Sequence, residues 1–282
     1  MIRKFHLTHI VPNPKLHIYF GHSEIIETVQ WGLANLGHEV TYAINQFRND
    51  AVNIVFGAQA LGIPALKALP PGTMVYNLEQ IAGYKPEELR ESLGYCAHNF
   101  TVWDYSEFNL PTWTAMNPKT PVVHVPIGYA PILSRIEKPA NQDIEVLFYG
   151  GPGGNRLRIF YDLCQKLVRA VFVHGLYGAS RDSLIARSKL VLNINQHPQT
   201  NVFEMARVSY LLSNRKAVVS DFSHSTKIEY DLTDVIVLAA TDRVVEACLQ
   251  LLADDARRVQ LEESGYEFMT RRDIRGFLSA AI

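Results

Sequence analysis

The sequence contains little cysteine. Its 282 residues include three cysteines, Cys96, Cys164 and Cys248, which lie far apart. The number is odd and no CxxC pair occurs, which excludes a disulfide framework and a thiolate metal site. The cysteine content therefore fits a protein of the reducing cytosol.

The chain also lacks an excess of charge of either sign. It has 27 lysines and arginines against 28 aspartates and glutamates, which gives a net charge of −1. A protein without a basic field has no means of holding a polyanion over a large surface. We therefore expect no nucleic acid polymer among its partners.

Long apolar runs are absent. Apolar segments such as Leu190–Ile194, which includes Asn193, and Val235–Ala240 are far shorter than the roughly 20 residues that span a bilayer. The opening residues, MIRKFHLTHIVPNPK, lack the apolar core and the cleavage site of a signal peptide. We therefore expect no membrane span and a cytoplasmic location, and peripheral contact with the inner face of the membrane stays open.

The sequence does contain a regular alternation of short β-rich runs and helical patterns. Hydrophobic residues make up 48% of the chain, as in ordinary folded proteins. The alternation predicts the α/β fold class, with parallel sheets covered by helices on both faces. The predicted strands are Phe5–Val11, Glu39–Ala43, Asn53–Phe56, Met74–Asn77, Phe100–Trp103, Val122–Val125, Ile144–Tyr149, Ala170–His174, Leu190–Asn193, Ala217–Asp221 and Val235–Leu238.

Two helices of the first half can be bounded from their residues. Apolar residues with the spacing of one helix face run from Ile25 to Leu36, and Gly37 should end that helix. Pro86 should open another helix, because its missing N–H costs nothing at the first helical position. Two glutamates follow it at the positive end of the helix dipole.

A break in the alternation predicts two domains. Residues Pro131–Asp143 carry two prolines, mixed charge and little apolar periodicity, as a surface linker does. We expect a first domain at 1–132, a linker at 133–143 and a second domain at 144–282. Doubly wound α/β domains bind ligands beyond the carboxyl ends of their strands, so the cleft between them is the expected site.

A glycine-rich turn follows the linker. The sequence VLFYGGPGGNRLRIF predicts a strand, a turn with glycines at 150, 151, 153 and 154, and a helix. Glycine lets a ligand approach the backbone closely, and the N–H groups of the helix suit phosphate. Arg156 and Arg158 oppose the helix dipole but would suit a bound anion. The turn predicts phosphate binding, and a plain glycine turn with solvated arginines is the alternative.

Signatures of several other enzyme classes are missing. No GxxxxGK[ST] loop occurs. The turn has no third glycine of the dinucleotide fingerprint, and the next strand ends at His174 instead of an acidic residue, which argues against NAD. The GxSxG, HExxH and protein-kinase motifs are absent too.

Three further segments resemble glycosyltransferases of the GT-B fold. Gly21–Ala43, GHSEIIETVQWGLANLGHEVTYA, is similar to the family's Gly-His opening with its "GHEVT" strand. His124–Pro131, HVPIGYAP, is similar to the passage into the linker. Asn201–Asp221, NVFEMARVSYLLSNRKAVVSD, is similar to the donor-site segment. Together with the glycine-rich turn, the resemblance covers most of the chain.

The resemblance implies a fold and an activity. The fold would be two Rossmann-like domains facing across a cleft, the first for the acceptor and the second for a nucleotide-sugar. The activity would be sugar transfer to an acceptor hydroxyl, with a nucleoside diphosphate sugar as co-substrate and no tightly bound cofactor. No DxD metal motif of GT-A enzymes occurs, so metal-independent transfer without metal ligands is expected. The acceptor can be a carbohydrate, a lipid-linked glycan or a small molecule.

The donor-site segment departs from the family pattern. Many retaining members carry two glutamates eight positions apart; Glu204 matches the second, and Gln196 stands at the first. Asn214-Arg215-Lys216 replaces a glycine that usually precedes the last strand of the segment. An inverting and a retaining outcome therefore both stay open.

The resemblance also implies roles on the donor side. Glu204 would accept hydrogen bonds from the ribose hydroxyls or face the sugar in catalysis, and a helix-capping glutamate is the alternative. Backbone N–H groups and a guanidinium would neutralise the leaving diphosphate. Arg207, three positions after Glu204, is expected to pair with it. The residues implied for the donor are Gly151, Gly153, Gly154, Asn155, Arg156, Asn201, Phe203 and Tyr177, with Lys227 ranked lower.

On the acceptor side, His22 is the candidate catalytic base. Inverting relatives with the Gly-His opening place their catalytic histidine there, and Glu24 is a substitute. Asn77 and Glu79 end the fourth predicted strand and Asp104 the fifth, so we expect them to face an acceptor. A loop histidine and ordinary exposed polar groups are the alternatives.

Two other functions stay open. A nucleotide-sugar epimerase of the same fold would need acid and base groups on both faces of the sugar and no acceptor pocket. A non-enzymatic binding or scaffold protein of this fold is the third reading, because Gln196 stands where the first family glutamate would be.

Overall fold

The computed structural model describes residues 2–196, 202–229 and 232–282. The chain divides into two compact units. The first consists of Met1–Ala130 with Asp273–Ile282, and the second of Pro131–Arg272. Each unit is built around one parallel β-sheet, so the predicted α/β class with two Rossmann-like sheets is confirmed.

The division differs from the predicted domains at two places. The predicted linker 133–143 belongs to the second unit, because Asn214 Oδ1 accepts hydrogen bonds from the backbone N–H groups of Arg135 and Ile136, both at 2.9 Å. Asp273–Ile282, which we assigned to the second domain, belongs to the first unit. The sequence pattern continues smoothly through position 272 and gave no sign of this return.

The sheet of the first unit has six parallel strands. They are β1 (Lys4–His9), β2 (Glu39–Ile44), β3 (Val52–Phe56), β4 (Met74–Asn77), β5 (Thr101–Asp104) and β6 (Val123–His124). Their order is β2-β1-β3-β4-β5-β6, so β2 lies on one side of β1, and the chain then crosses over to place β3 on the other side. The carboxyl ends of β1 and β3 therefore form the switch point of this sheet, where α/β proteins bind ligands.

Four helices connect these strands. They are α1 (Ser23–Asn35), α2 (Ile63–Lys67), α3 (Glu91–Asn99) and α4 (Leu110–Ala115). The predicted end of the first helix is confirmed, because Gly37 adopts a left-handed φ of +86° just after it. Glycine takes this conformation without the steric cost that a Cβ imposes.

The prediction that an α-helix begins at Pro86 is wrong. Pro86–Glu88 form a single 3₁₀ turn, closed by a hydrogen bond of 2.8 Å from the Lys85 N–H to the Glu88 carboxylate. Leu89 and Arg90 then return to extended backbone, and the α-helix begins only at Glu91. The proline and the glutamates were genuine helix-start signals, but the chain uses them for one turn.

The sheet of the second unit has five parallel strands. They are β7 (Ile144–Tyr149), β8 (Ala170–Val173), β9 (Ser188–Asn193), β10 (Ala217–Asp221) and β11 (Val237–Ala239). Their order is β11-β10-β9-β7-β8, so the switch point lies between β7 and β9. The helices are α5 (Arg156–Gln165), α6 (Gly178–Arg187), α7 (Met205–Ser213), α8 (Val244–Ala253) and α9 (Asp255–Thr270).

The segment that replaces the family glycine keeps the glycine conformation. Arg215 lies just after α7 and has a left-handed φ of +51°, which is uncommon for a residue with a Cβ. Its guanidinium stacks 3.5 Å from the ring centre of Tyr266 and pairs with Glu263 at 3.1 Å. These contacts on α9 offset the backbone strain that glycine would avoid.

The last helix of the chain, α10 (Ile274–Ala281), packs on α1 within the first unit. The two helices approach closely at Gly32, where a Cβ would lie 2.6 Å from Leu278 Cδ1 and 2.9 Å from Ile274 Cγ2. Both side chains are fully buried or nearly so. The carboxyl-terminal segment is therefore part of the hydrophobic core of the first unit.

Among the residues that the structure describes, no helix combines the length and apolar character that crossing a membrane requires.

Replacing Leu278 with alanine tests the role of the last helix. Leu278 is completely buried, so we expect the first unit to lose about 2–5 kcal/mol of unfolding free energy. Tryptophan fluorescence during urea unfolding measures this unit selectively, because Trp31, Trp103 and Trp113 all belong to it. Ser279→Ala, on the exposed side of the same helix, is the control. Equal unfolding midpoints for both variants would contradict this packing.

Candidate functional site

The switch point of the second sheet lies between the carboxyl ends of β7 and β9. Strand β7 ends at Tyr149 and leads into the glycine-rich turn, and β9 ends at Asn193 and leads to Gln196. Parallel α/β sheets bind ligands at this place because loops from neighbouring strands diverge there. The sequence-predicted donor residues therefore gather at the edge that topology favours.

The glycine-rich turn packs against Gln196. A Cβ on Gly154 would lie 2.6 Å from the Gln196 carbonyl oxygen, and Cβ atoms on Gly151 and Gly153 would each lie 3.2 Å from its side chain. Gly154 also has a left-handed φ of +55°. These three glycines therefore permit close packing of two protein loops, where we expected an approach of ligand to the backbone.

Arg156 holds the same turn from inside. Its side chain is buried; Nε donates to the Ile194 carbonyl at 2.8 Å, and Nη1 donates to the Gly151 carbonyl at 3.0 Å and to Gln196 Oε1 at 2.9 Å. Burial, and then the nearby charge of Arg207, lower the pKa of Arg156 to about 10. Arg156, which we predicted to bind the diphosphate, thus donates its hydrogen bonds to protein acceptors and braces the loop.

Arg207 also lies at this edge of the sheet, and the sequence predicted no role for it beyond pairing with Glu204. We expected it to pair with Glu204, but its Nη1 donates to Asn193 Oδ1 at 2.9 Å. Its guanidinium carbon lies 5.6 Å from the ring centre of Phe148 and 5.4 Å from that of Tyr149. The sequence did contain a signal for this placement. Arg207 lies about one helical turn after Glu204, so both residues are near the start of α7.

Glu204 occupies the N-cap position of α7 and is half-buried. Within the described part of the chain its carboxylate accepts no capping hydrogen bond from the helix, which weakens the capping alternative. Its charge, like that of Asp221, raises the pKa of Arg156 against the larger effect of burial. Two carboxylates and two guanidinium groups therefore share this edge of the sheet.

The loop before α7 is held by main-chain pairing. The Phe203 N–H donates to the Lys227 carbonyl at 2.9 Å, and Val202 forms an isolated bridge with Lys227. The Phe203 side chain is buried, so it supports the loop that carries Glu204. Asn201 lies outside the described residues.

A cavity of about 240 Å³, lined mostly by polar residues, opens at this edge. Asp221 is part of its wall, where it accepts a hydrogen bond of 2.9 Å from the Asn195 N–H. Burial raises the pKa of Asp221, although this hydrogen bond and Arg156 oppose the rise. The lining residues are Gly154, Asn155, Asn195, Gln196, Asp221, Phe222, Ser223, Ser225, Thr226 and Thr241.

Tyr177 lies on the loop after β8, away from the wall of this cavity. It is the N-cap of α6, half-buried and extended, and Gly178 follows with a φ of +60°. The loop reaches the glycine-rich turn through His174, whose Nδ1 lies 3.1 Å from the Gly150 carbonyl oxygen.

His22 stands at the carboxyl edge of the first sheet. It ends the 3₁₀ turn His17–His22 and is the N-cap of α1, half-buried. Burial, and more weakly the charge of His22, lower the pKa of His9 on the preceding strand. Glu24, its proposed substitute, is buried in the first turn of α1.

Asn77 and Asp104 do not face an acceptor, contrary to our expectation. Both are buried, and Asp104 Oδ1 accepts from the Ser106 N–H at 2.8 Å and Asn109 Nδ2 at 2.9 Å. Its Oδ2 accepts from Asn77 Nδ2 at 2.7 Å and Trp113 Nε1 at 2.6 Å. Burial raises the pKa of Asp104 to about 6, and the four donors hold it below what burial alone would give. The pair is structural.

Glu79 remains at the edge of the first sheet as a carboxylate. It is half-buried, and its Oε1 accepts a hydrogen bond from Gln59 Nε2 at 2.6 Å. Burial raises its pKa, with Gln59 and Arg90 opposing the rise. Within residues 2–196, 202–229 and 232–282, no group of three or more His, Cys, Asp or Glu side chains is arranged to hold a metal ion.

Comparison with known proteins adds sequence relatives at low identity. No family model matches the chain. It is 27% identical over 187 residues to "Uncharacterized protein L140" of Acanthamoeba polyphaga mimivirus, covering 64% of this chain and 59% of that protein. It is 23% identical over 185 residues to "Uncharacterized protein L138" of the same virus, covering 64% and 20%. The alignments thus span less than two thirds of either relative.

Solved structures give a match over the whole chain. HepE of Anabaena, in complex with UDP and glucose, has a TM-score of 0.63 at 10% identity and covers 99% of both chains; the same protein is also solved with UDP-glucose. AviGT4, a glycosyltransferase involved in avilamycin A biosynthesis, has a TM-score of 0.56 at 16% identity over 97% and 98%. A putative UDP-N-acetylglucosamine 2-epimerase from Listeria monocytogenes has 0.56 at 10% over 99% and 94%. The chain therefore has the GT-B fold.

Replacing Asp104 with asparagine tests the buried network. Either orientation of the amide would point its NH₂ group at two donors, so we expect a loss of about 3 kcal/mol in unfolding free energy. Urea unfolding followed by tryptophan fluorescence measures it. Glu79→Gln is the matched control, because the amide oxygen can still accept from Gln59. A stability of Asp104→Asn equal to that of the control would show that the network is unimportant.

Replacing Gly154 with alanine tests the packing of the turn. Gly175 is the matched control: both have a left-handed φ, +55° and +70°, but a Cβ on Gly175 would meet no atom within 4 Å. Gly175→Ala should cost about 1–2 kcal/mol of backbone strain alone. Gly154→Ala should lower the calorimetric melting temperature further, because the Gln196 carbonyl must move. Equal shifts would refute the close approach.

Proposed function

We propose that the chain is a glycosyltransferase that moves a sugar from a nucleoside diphosphate sugar to an acceptor hydroxyl. The observation that carries this proposal is the structural match over 99% of the chain to HepE, a protein solved with UDP and with UDP-glucose. The glycine-rich turn and a cavity lined mostly by polar residues lie at the carboxyl edge of the second sheet, and Glu204 stands at the start of α7. These features support a donor site there.

The chemistry needs a stabilised leaving group. The bond between the anomeric carbon and the diphosphate oxygen breaks, and negative charge grows on that oxygen. In the proposed site, the second unit binds the nucleotide, with Glu204 accepting hydrogen bonds from the ribose hydroxyls. Asn155, beside the glycine-rich turn, and the cavity next to it are available to polar groups of the donor.

The acceptor hydroxyl must lose its proton as the new bond forms. We propose His22 for this role, because histidine is the commonest general base in enzymes and His22 follows the first strand at the switch point of its sheet. Glu79 is the second candidate, a half-buried carboxylate at the same sheet edge. The carbohydrate, lipid-linked and small-molecule acceptor classes all present such a hydroxyl.

The direct test is donor turnover. The protein is incubated with UDP-glucose, UDP-N-acetylglucosamine, GDP-mannose and other nucleotide-sugars, and released nucleoside diphosphate is measured with and without acceptor sugars. Acceptor-stimulated release from one donor is the expected result. If none of the nucleotides raises the melting temperature at millimolar concentration, the donor site does not exist, because a ligand of the folded state must stabilise it.

An epimerase is the second candidate, favoured by the match to the putative epimerase from Listeria monocytogenes. Epimerisation requires removal and return of a proton on the sugar, and no acceptor. Incubation with a nucleotide-sugar in deuterium oxide distinguishes the two reactions. Deuterium in a re-isolated sugar nucleotide, without release of nucleoside diphosphate, would indicate the epimerase and exclude the transferase.

Replacing Glu204 with alanine tests the donor role. We expect nucleotide affinity to fall by about 1–3 kcal/mol, as for loss of a charge-assisted hydrogen bond, with an unchanged melting temperature. Isothermal titration calorimetry measures the affinity. Glu246→Ala, on the exposed surface of α8, removes the same charge from the same unit as a control. Unchanged affinity in Glu204→Ala would remove this residue from the site.

A further inference from the structure

The guanidinium of Arg207 lies at the carboxyl end of β7, beside the first glycine of the turn. Its contacts with the Phe148 and Tyr149 rings, at 5.6 and 5.4 Å, hold a cation in place without neutralising its charge. We propose that Arg207 is the residue that binds the diphosphate of the donor. This inference rests on the proposed function and names the cation of the same site.

Arg207 has donor capacity left for a ligand. Nη1 is oriented by its hydrogen bond of 2.9 Å to Asn193 Oδ1. The buried Nε has no hydrogen-bond partner among the residues that the structure describes. A buried donor without an acceptor is unfavourable. Movement of the guanidinium toward a phosphate oxygen would exchange this unsatisfied N–H for a charge-assisted hydrogen bond. The planar guanidinium can present a second N–H to the same phosphate.

Gly150 keeps one side of this guanidinium uncovered. Its φ is +146°, and a Cβ built on it would lie 3.1 Å from Arg207 Nη2. Any larger residue at this position would therefore cover Nη2 with its own side chain. This is the glycine of the turn whose missing side chain faces a charged donor, whereas Gly151, Gly153 and Gly154 face Gln196.

The neighbouring arginines already have acceptors. Arg156 donates to the carbonyls of Ile194 and Gly151 and to Gln196 Oε1. Arg181, which stacks on Tyr149 from α6, donates to Asp182 at 2.9 Å and is almost completely buried. Of these three arginines, Arg207 is the one whose hydrogen bonds within the described residues leave a buried donor unsatisfied.

The test compares ligands that differ only in phosphate. Calorimetric affinities of wild type, Arg207→Gln and Arg207→Lys are measured for UDP, UMP and uridine, and for inorganic pyrophosphate, which needs no base recognition. If another nucleoside diphosphate binds the wild type more tightly than UDP, the uridine series is exchanged for that diphosphate, its monophosphate and its nucleoside. Arg271→Gln, an exposed arginine of the same unit, is the control for loss of one charge.

We expect Arg207→Gln to weaken UDP and pyrophosphate about 10–100-fold and to leave uridine unchanged. Arg207→Lys should keep part of the phosphate preference, because it retains the charge but loses the fork geometry. Equal weakening of UDP and uridine, or unchanged UDP affinity, would overturn this inference and leave the donor site standing. If wild type binds no nucleoside diphosphate and no pyrophosphate, both the inference and the proposed function fail.

Discussion

The Gln196 carbonyl oxygen lies 2.6 Å from the point where a Cβ on Gly154 would be, so any side chain at that position would force one of the two loops to move. This approach brings the loop after β9 onto the turn after β7 and creates buried carbonyl groups between them. Arg156 enters this space and donates to three of the acceptors. This contact between two loops therefore positions the glycine-rich turn and its brace, Arg156.

Burying a guanidinium lowers the stability of the fold unless its N–H donors have acceptors and its charge is compensated. Arg156 is matched by carbonyl groups and by the face of Phe148, 5.2 Å from its guanidinium carbon. Arg207 also contacts the Phe148 ring, but its buried Nε has no acceptor among the described residues. The first arginine thus stabilises the loop, and this leaves the second as the better candidate for a ligand.

Local signals were enough to predict the strands and their order of alternation. Met74–Asn77, Ile144–Tyr149 and Ala217–Asp221 were predicted to the residue, because each is a short apolar run bounded by turn-forming residues. The sequence could not reveal burial that depends on distant contacts: Asp104 has the polarity of a site residue but is satisfied by partners from other segments. The same limit hid the return of Asp273–Ile282 to the first unit.

Gln196, which stands at the position of the first family glutamate, is a structural part of the glycine-rich turn. Gln196 Oε1 accepts from Arg156 while its side chain packs on Gly151 and Gly153, so the amide is part of the turn itself. A glutamate there would form a buried ion pair with Arg156, and desolvation of the two charges would offset much of their attraction. The neutral amide makes the same brace without burying a second charge, so Gln196 has a structural role in this turn.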